Sequence, residues 1–253
     1  MDKFIIEGGT PLRGKVKVSG AKNAVLPIMA ATIIAPGEYR IHNVPELRDT
    51  LTMKRLLEMV GAKIHYENST MQIDTSKCDT PTAPYDLVKT MRASFYVLGP
   101  FLSRFNYAEV SLPGGCAWGP RPVNYHLQAM EALGAEVDLS DGMIIAKGDL
   151  KGALIDFERS SVGATGNALM AAVTAHGKTV IKNAAREPEI GALCIFLKKM
   201  GAEIIGEGTN EITIQGKKEL KADVDYTVIP DRIEAGTFLI AGAITAGDIT
   251  VEN

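Results

Sequence analysis

The hydrophobic positions of this chain recur as a long unit, in which an apolar helix leads through a turn into a strand of alternating apolar and polar residues. The segment at residues 30–43 returns at 171–183 and again at 241–253. The asparagines that close these copies are 140 and 70 positions apart, and a weaker copy at 99–112 lies between the first two. Self-similarity at a fixed period is typical of repeat architectures. The pattern therefore predicts one structural unit used several times.

A second motif alternates with the first. Apolar residues at helical spacing, followed by Gly-Ala and a strand, occur at residues 56–64, 129–137 and 196–204. Glycine directly after a helix is the usual left-handed stop. Turn residues and another strand follow each copy, which predicts a hairpin. The unit is therefore helix, strand, helix, hairpin, present three times between residues 22 and 229.

Three such units that close on one another would bury their apolar helices centrally and leave their sheets outside. The fold class is therefore α/β, but not doubly wound. The first residues add predicted strands at 3–7 and 15–19. Residues 231–253 supply the first half of a fourth unit, whose apolar face would be uncovered, so we expect a truncated polypeptide.

The composition is ordinary for a soluble globular protein: 253 residues, 46% hydrophobic and 23% charged, with a formal net charge of −3. No Lys/Arg-rich block is present, which disfavours a nucleic-acid partner. The first residues lack the apolar run of a signal peptide, and no stretch approaches the length of a membrane span. These features predict a protein without a nucleic-acid or membrane partner.

The cysteines and histidines do not form a metal-binding or disulfide pattern. Cys78, Cys116 and Cys194 are far apart and odd in number, which favours a reducing cytosol. Cys78 and Cys194 are interpreted as structural. His126 lies ten positions after Cys116, but a thiol hydrolase would also need an orienting partner. We therefore predict neither a metal nor a cofactor, and the sequence assigns no oligomeric state.

The candidate chemistry is concentrated at residues 111–128, S-L-P-G-G-C-A-W-G-P-R-P-V-N-Y-H-L-Q. Pro122 occupies a position where a first-turn helical proline is tolerated. Arg121 is then presented at a helix N-terminus, where backbone N–H groups and the helix dipole favour an anion. The positive field predicts a pKa for Cys116 below the free value of about 8.5. We interpret the segment as a thiol on a flexible lid beside an anion site; a buried cysteine in an ordinary turn is the alternative.

Six motifs in order resemble the UDP-N-acetylglucosamine enolpyruvyl transferase family, also called UDP-N-acetylglucosamine 1-carboxyvinyltransferase, and the resemblance covers the whole chain. They are S-G-A-K-N-A (19–24), A-P-Y-D-L-V-K-T-M-R-A-S (83–94), P-G-G-C-A-W-G-P-R-P-V (113–123), S-V-G-A-T (161–165), N-A-A-R-E-P-E-I (183–190) and P-D-R-I-E-A-G-T-F (230–238). The family fold implied is an inside-out α/β barrel of three units with central helices and outer sheets. It further implies that residues 22–229 form the catalytic domain, whereas 1–21 and 230–253 belong to an incomplete second domain.

The reaction implied by the resemblance is transfer of the enolpyruvyl group of phosphoenolpyruvate to the 3-hydroxyl of UDP-N-acetylglucosamine, with release of phosphate. This is the first committed step of peptidoglycan synthesis, in the cytoplasm. The family places a base and several phosphate-binding arginines on its second domain, so we expect this chain alone to be inactive. The alternatives are a non-catalytic fragment that binds UDP-sugars, and the sibling 5-enolpyruvylshikimate-3-phosphate synthase, which lacks the cysteine loop.

The resemblance also implies the roles of individual residues. Cys116 would give a proton to the methylene carbon, Lys22 would bind phosphoenolpyruvate, and Arg121 would clamp phosphate or carboxylate. The remaining substrate-binding positions are Asn23, Arg92, Pro122, Val123, Asn124, Tyr125, Arg159, Ser161, Val162 and Gly163. Cysteine at the loop position, where some members carry aspartate, predicts alkylation by fosfomycin.

These assignments have alternatives and one departure from the family pattern. Asn124 stands where the family commonly has aspartate, so its contact with the nucleotide is an open question. For Lys22 and Asn23 the alternative interpretation is a solvated lysine and a helix cap. Arg92 and Arg48 are anion-binding candidates or surface arginines with buried stems. We expect Arg232 at a hinge between the domains and assign Glu187 and Glu189 no catalytic role.

Overall fold

Eight α-helices and fourteen strands form in the part of the chain that the computed structural model describes, residues 3–88, 91–112 and 123–253. The helices are α1 (Lys22–Ala31), α2 (Arg48–Val60), α3 (Tyr85–Val88), α4 (Leu98–Phe105), α5 (Asn124–Ala132), α6 (Val162–Ala172), α7 (Pro188–Lys199) and α8 (Arg232–Ile244), with a 3-10 helix at Arg92–Val97. The strands are β1 (Arg13–Lys17), β2 (Glu38–His42), β3 (Lys63–Glu67), β4 (Thr70–Asp74), β5 (Thr82–Ala83), β6 (Tyr107–Ser111), β7 (Glu136–Ser140), β8 (Met143–Lys147), β9 (Leu154–Asp156), β10 (Lys178–Lys182), β11 (Glu203–Ile205), β12 (Glu211–Gln215), β13 (Val224–Thr227) and β14 (Asp248–Glu252).

Three four-stranded sheets share one topology. Their strand orders are β13-β2-β4-β3, β5-β6-β8-β7 and β9-β10-β12-β11. In each sheet the first two strands are parallel and the others are antiparallel. Because β13 follows the third unit but pairs with β2 of the first, the sheets close into a ring. The sheet β1-β14 is also a parallel pair, and α8 with β14 repeats the first half of a unit.

The helices lie inside and the sheets outside, which confirms the predicted fold class. Every residue of α1 from Ala24 to Ala31 is buried, as is every residue of α6 from Ala164 to Ala172. Strands such as β10 alternate between exposed and buried positions, so one face packs on the helices and the other meets solvent. A helix that is apolar on all sides is stable only when it is buried on all sides. The apolar composition of α1 and α6 therefore fixes their central position.

The predicted turns form as the sequence indicates. Gly61, Gly134 and Gly201 follow α2, α5 and α7 with φ values of 109°, 93° and 101°. Asn68-Ser69 joins β3 to β4, with φ values of 50° and 55°. Positive φ at both central residues is the geometry that matches the twist of a two-residue hairpin.

The three asparagines that end the repeats share one structural role. Asn43, Asn183 and Asn253 each follow a strand with positive φ, at 57°, 51° and 103°. Each side chain donates to the carbonyl of the residue that follows the parallel neighbour strand: Val228 at 3.0 Å, Phe157 at 2.8 Å and Val18 at 3.0 Å, respectively. The recurring asparagine therefore locks the ends of each parallel pair together.

Some predicted elements differ from the structure. The strand predicted at residues 3–7 is wrong, because Phe4, Ile5 and Ile6 are 82–97% exposed and the described residues offer them no strand to pair with. The strand predicted at 15–19 is β1, two residues earlier. The domain boundaries around residues 22–229 stay a prediction.

Candidate functional site

A cavity of about 480 Å³ opens where the N-termini of three helices converge. Lys22 and Asn23 begin α1, Asp49 lies in the first turn of α2, and Ser161 and Gly163 flank the start of α6. The remaining lining residues are Leu26, Met91, Ala93, Phe95, Tyr96 and His126. Four of the predicted site residues, from motifs about 140 positions apart in the sequence, thus meet in one cavity.

The N-terminus of α6 provides backbone donors at this cavity. Ser161 is the N-cap, and its hydroxyl accepts from the Ala164 N–H at 3.4 Å. The first N–H groups of a helix have no intrahelical partner, and the helix dipole makes that end positive. Together with the Lys22 ammonium, this end of the cavity favours an anionic ligand such as phosphate.

Lys22 is held by two carboxylates to which the sequence analysis gave no role. Its ammonium lies 3.1 Å from Asp49, and its backbone N–H donates to Asp231 at 3.3 Å. Asp231 also caps α8, since its other oxygen accepts from the N–H groups of Ile233 and Glu234. Lys22 is therefore oriented by the start of α2 while its backbone is tied to the start of α8.

An adjoining cavity of about 270 Å³ shares Asn23 with the first and contains the Arg232–Glu189 ion pair. Arg232 donates from Nε at 3.0 Å and from Nη2 at 3.2 Å to the two oxygens of Glu189. This hydrogen bonding raises the pKa of Arg232. Oε2 of Glu187 is buried here without a hydrogen-bond partner among the described residues. Arg232 thus joins α8 to the first turn of α7, and both glutamates line the cavity although the sequence assigned them no role.

Other predicted residues do not line either cavity within the described part of the chain. Val123 precedes α5, Asn124 begins it and is exposed, and the ring of Tyr125 packs on Phe157 at 5.8 Å. Arg159 is exposed between β9 and α6. The roles of these four residues in substrate binding stay predictions.

Two further predicted arginines are placed as follows. Arg48 lines a separate cavity of about 590 Å³ with Asp86 and Arg55, so it is not part of this site. Arg92 begins the 3-10 helix, and its side chain is not among those described.

The thiol assigned to the chemistry, Cys116, lies outside the described residues, as do Arg121 and Pro122. The described helix α5 begins at Asn124, so the helical position predicted for Pro122 stays a prediction. Cys78 and Cys194 are buried, and burial raises their pKa values to about 11 and about 12. Both thiols are therefore neutral at physiological pH, which fits their predicted structural role.

The sequence analysis gave His126 no role, but the structure places this residue in the site. It is 6% exposed, lines the larger cavity and has its Nδ1 atom 2.8 Å from the side chain of Asn167. The two residues are 41 positions apart, so no local pattern signals the contact.

Features of other functional classes were also sought in the described residues. No helix in that part of the chain combines the length and apolar character needed to cross a membrane. Nor does any group of three or more His, Cys, Asp or Glu side chains there form a potential metal site. A cavity of about 480 Å³ on the outer face of the sheet β13-β2-β4-β3 contains none of the predicted site residues.

Comparison with known proteins shows that this chain is similar to carboxyvinyltransferases. The family model for EPSP synthase (3-phosphoshikimate 1-carboxyvinyltransferase) matches residues 6–253. The UDP-N-acetylglucosamine 1-carboxyvinyltransferase of Chlorobium phaeovibrioides is 55% identical over 99% of this chain and 60% of its own length. The enzyme of the same name from Geotalea uraniireducens is 56% identical over 100% of this chain and 61% of its own length. The chain thus spans about 60% of the length of these curated relatives.

Solved structures show the same architecture. The enolpyruvyl transferase NikO from Streptomyces tendae superposes with a TM-score of 0.82 at 29% identity, over 92% of this chain and 56% of that one. EPSP synthase from Acinetobacter baumannii superposes with a TM-score of 0.73 at 21% identity, over 93% and 54% of the two chains. The second likeness concerns the fold alone.

Proposed function

The chain belongs to the EPSP synthase (3-phosphoshikimate 1-carboxyvinyltransferase) family, and from that premise we propose that its protein transfers an enolpyruvyl group to UDP-N-acetylglucosamine. The observation that carries the proposal is the cavity that gathers Lys22, Asn23, Ser161 and Gly163 at helix N-termini. The acceptor is chosen from the names of curated relatives at about 55% identity. The resemblance further implies a cytoplasmic enzyme at the first committed step of peptidoglycan synthesis.

The arrangement suits a substrate with separate anionic and hydroxyl-bearing parts. Ser161 and the first N–H groups of α6 would receive the nucleotide diphosphate, because these donors match oxygens that only accept. The Lys22 ammonium would bind the phosphate of phosphoenolpyruvate. Asn23, exposed between the two cavities, would hydrogen-bond to the hydroxyl groups of the sugar. Each group then contacts the part of the substrates that its chemistry recognises.

The proposed reaction is an addition followed by an elimination. The 3-hydroxyl gives its proton to the base that the resemblance assigns to the second domain, and its oxygen bonds to C2 of phosphoenolpyruvate while the Cys116 thiol gives its proton to the methylene carbon. Loss of a proton from that carbon then restores the double bond, and the bond from C2 to the phosphate oxygen breaks. A general acid works best with a pKa near the operating pH, which a thiol in a positive field supplies. Arg121 and Arg92 would neutralise the phosphate and carboxylate charges.

Calorimetric titration distinguishes the two acceptors. We expect the chain to bind UDP-N-acetylglucosamine and not shikimate 3-phosphate. Asn23→Ala should weaken binding roughly tenfold, since one or two hydrogen bonds are lost. Asn210→Ala, in an exposed turn, is the matched control and should bind normally. Binding of shikimate 3-phosphate in preference to the nucleotide sugar would instead identify the sibling activity.

We also propose that this chain alone does not turn over its substrates. The family's catalytic base and several of its phosphate-binding arginines belong to positions that the resemblance assigns to the second domain. Catalysis of this kind depends on closure that excludes water and completes the set of catalytic groups. Phosphate release from phosphoenolpyruvate and UDP-N-acetylglucosamine measures this directly, and detectable release by the purified chain would contradict the statement.

A further inference from the structure

The three four-stranded sheets share one topology but differ on their outer surfaces. In each sheet, the middle residue of the second strand belongs to a row of four residues that lie directly opposite one another across the strands. In the sheet β13-β2-β4-β3 the row is polar: Asp225, Arg40, Gln72 and His65. In the sheet β5-β6-β8-β7 it contains one apolar residue: Thr82, Glu109, Ile145 and Asp138. The fold therefore does not require apolar residues at these positions.

The sheet β9-β10-β12-β11 has an apolar row in the same place. Leu154 lies opposite Val180, Val180 opposite Thr213, and Thr213 opposite Ile205. Leu154 and Ile205 are 59% and 69% exposed, and the two middle residues are partly exposed. Directly opposite side chains on neighbouring strands are close enough to touch, so these four form one continuous strip, here called the apolar row. Single exposed apolar residues are ordinary, whereas a contiguous group marks an interaction surface.

Charged residues border the apolar row on one side. Lys182 on β10 lies directly opposite Glu211 on β12, and both side chains are exposed. Asp156 on β9 is the other neighbour of Lys182 and accepts from the Asn183 side chain at 3.2 Å. Among the described residues, no ion pair joins Lys182 to either carboxylate. The two central strands therefore present one positive and one negative charge at the same distance from the apolar row.

A second copy of the same chain fits this pattern. A closed dimer has a two-fold axis and uses the same patch on both subunits. With the axis parallel to the strands, β10 of one copy lies over β12 of the other. Lys182 then faces Glu211 of the partner subunit, and Leu154 faces Ile205 of the partner subunit. An axis parallel to the apolar row would instead place Lys182 over Lys178 of the partner subunit, so the charges select the first arrangement.

The size of the face determines how strong such a dimer is. Sheets pack face to face about 10 Å apart, with strand directions within about 30° of each other. Four strands of up to five residues cover roughly 19 Å by 16 Å. This area is smaller than the surface of about 800 Å² that each partner contributes to a standard interface. We therefore expect a weak dimer, with a dissociation constant of about 10–100 μM.

We propose that the outer face of the sheet β9-β10-β12-β11 is a self-association surface, at which two copies of this chain pack their apolar rows together about a two-fold axis parallel to the strands. The proposal does not rest on the proposed function. None of the four residues of the apolar row lines either cavity at the helix N-termini. Dimer formation is therefore expected to leave ligand binding at those cavities unchanged.

Sedimentation equilibrium of the chain over a range of concentrations tests the arrangement. Lys182→Glu and Glu211→Lys each place like charges across the interface at two symmetry-related positions, so each variant alone should raise the dissociation constant at least roughly tenfold. An equimolar mixture of the two variants should associate with about the affinity of the wild-type chain. In the mixed dimer each acidic position of one variant faces a basic position of the other, and no effect within a single chain produces such a rescue.

The apolar row is tested separately. Ile205→Ser removes its most exposed side chain and should raise the dissociation constant roughly tenfold, because apolar contact is lost at two symmetry-related places. Ile244→Ser on α8, where the side chain is 79% exposed, is the matched control and should leave association unchanged. All four substitutions are at exposed positions, and circular dichroism checks that each variant is folded.

Several results would overturn the proposal. One is a wild-type chain that stays monomeric up to about 500 μM, well above the expected dissociation constant. Another is a charge variant that associates by itself with wild-type affinity. A mixture of the two charge variants that stays monomeric would reject the two-fold arrangement. Association that is lost in Ile244→Ser but kept in Ile205→Ser would identify α8 as the contact instead.

Discussion

The Asp49 carboxylate lies beside the proposed phosphate site, where its negative charge would repel an anionic ligand. It lies 3.1 Å from the Lys22 ammonium, and both side chains are about one third exposed. Solvent-exposed pairs of this kind contribute about 1 kcal/mol or less to stability. We therefore expect Asp49→Asn to change the free energy of unfolding by less than about 1 kcal/mol. Phosphoenolpyruvate should bind several-fold more tightly, because a carboxylate that repels the anion is removed.

Titration of the variants with phosphoenolpyruvate checks this expectation. Lys22→Gln should weaken binding in the same assay. Glu252→Gln, which breaks the distant Lys15–Glu252 pair, should leave it unchanged. A loss of affinity in Asp49→Asn as large as that in Lys22→Gln would mean that Asp49 is needed to orient the lysine.

The three cysteines differ in their expected reactivity. Epoxide alkylation requires a thiolate, and burial raises the pKa values of Cys78 and Cys194 to about 11 and about 12. We therefore expect fosfomycin to add to Cys116 alone, as the loop motif predicts. Intact mass spectrometry should show one adduct in the wild-type chain and none in Cys116→Ser. An adduct at either buried cysteine would contradict the assignment.

Site residues could be predicted from sequence where a local motif carries them. Lys22 and Ser161 lie at helix N-termini. The sequence indicates such a position by a turn that is followed by an apolar run. Asp49, Asn167 and His126 could not be assigned in this way. Their contacts join segments that are far apart in the sequence, so only the packing of separate helices creates them.

At the scale of one element, the repeated asparagines combine a backbone and a side-chain contribution. Asn183 has φ of 51° and donates to the Phe157 carbonyl at 2.8 Å. Asn183→Gly keeps the backbone conformation and should cost about 1 kcal/mol, mainly for the hydrogen bond to Phe157, because the second one, to the Asp156 carboxylate at 3.2 Å, is exposed to solvent. Asn183→Ala adds the strain of a left-handed residue and should cost about 2–3 kcal/mol. Urea unfolding measures both, with Asn210→Ala as control; equal costs would show that the backbone conformation is not strained.

Arg104 ties the end of α4 to two other segments of the core. Its guanidinium donates to the carbonyls of Ile33 at 3.1 Å, Thr75 at 3.0 Å and Cys78 at 2.9 Å. A lysine ammonium lacks the planar fork that reaches three carbonyls. We expect Arg104→Lys to lower the free energy of unfolding by about 2–3 kcal/mol, because carbonyls lose their donors.

The exposed Arg55→Lys is the matched control for this substitution and should change stability by less than about 0.5 kcal/mol. Thermal or urea unfolding provides the comparison. Similar values for the two variants would mean that water replaces the guanidinium at these carbonyls.

Elements were predictable where their signal is contained in a few neighbouring residues. The hairpin turn at Asn68-Ser69 and the helix stop at Gly61 carry their own backbone requirement, so the repeat could be recognised before any contact was known. The strand predicted at residues 3–7 shows the limit of this reasoning. Its apolar pattern resembles a strand, but a strand also needs a neighbour with which to form hydrogen bonds, and the sequence alone does not name one.

At the scale of the whole molecule, closure of the ring depends on β13. This strand pairs in parallel with β2, and its residues Val224 and Tyr226 are 4% and 5% exposed. Tyr226 also donates to the Ala192 carbonyl of α7 at 3.3 Å. One short strand thus connects the last unit to the first, and its loss would open the sheet edge of β2 as well as the core beneath it.

The core itself suggests where an independently folding body ends. The described core cluster runs from Ala21 to Val228 and includes no residue of β1, α8 or β14, while α8 exposes Ile240 and Ile244 at 63% and 79%. We therefore expect a chain of residues 21–229 to unfold in a single cooperative urea transition with stability close to that of the full chain. A single transition of this kind would support the domain division predicted from the sequence.

A chain that also lacks residues 223–229 provides a second test of this boundary. A chain of residues 21–222 lacks β13 and loses the buried side chains Val224, Tyr226 and Val228, each of which contributes roughly 1.5–3 kcal/mol of burial. That sum approaches the whole stability of an ordinary domain, about 5–15 kcal/mol. The 21–222 chain should therefore show no cooperative transition by circular dichroism. If instead 21–229 fails to fold while the full chain does, then α8 and β14 stabilise the three-sheet body, and the boundary at residue 229 is wrong.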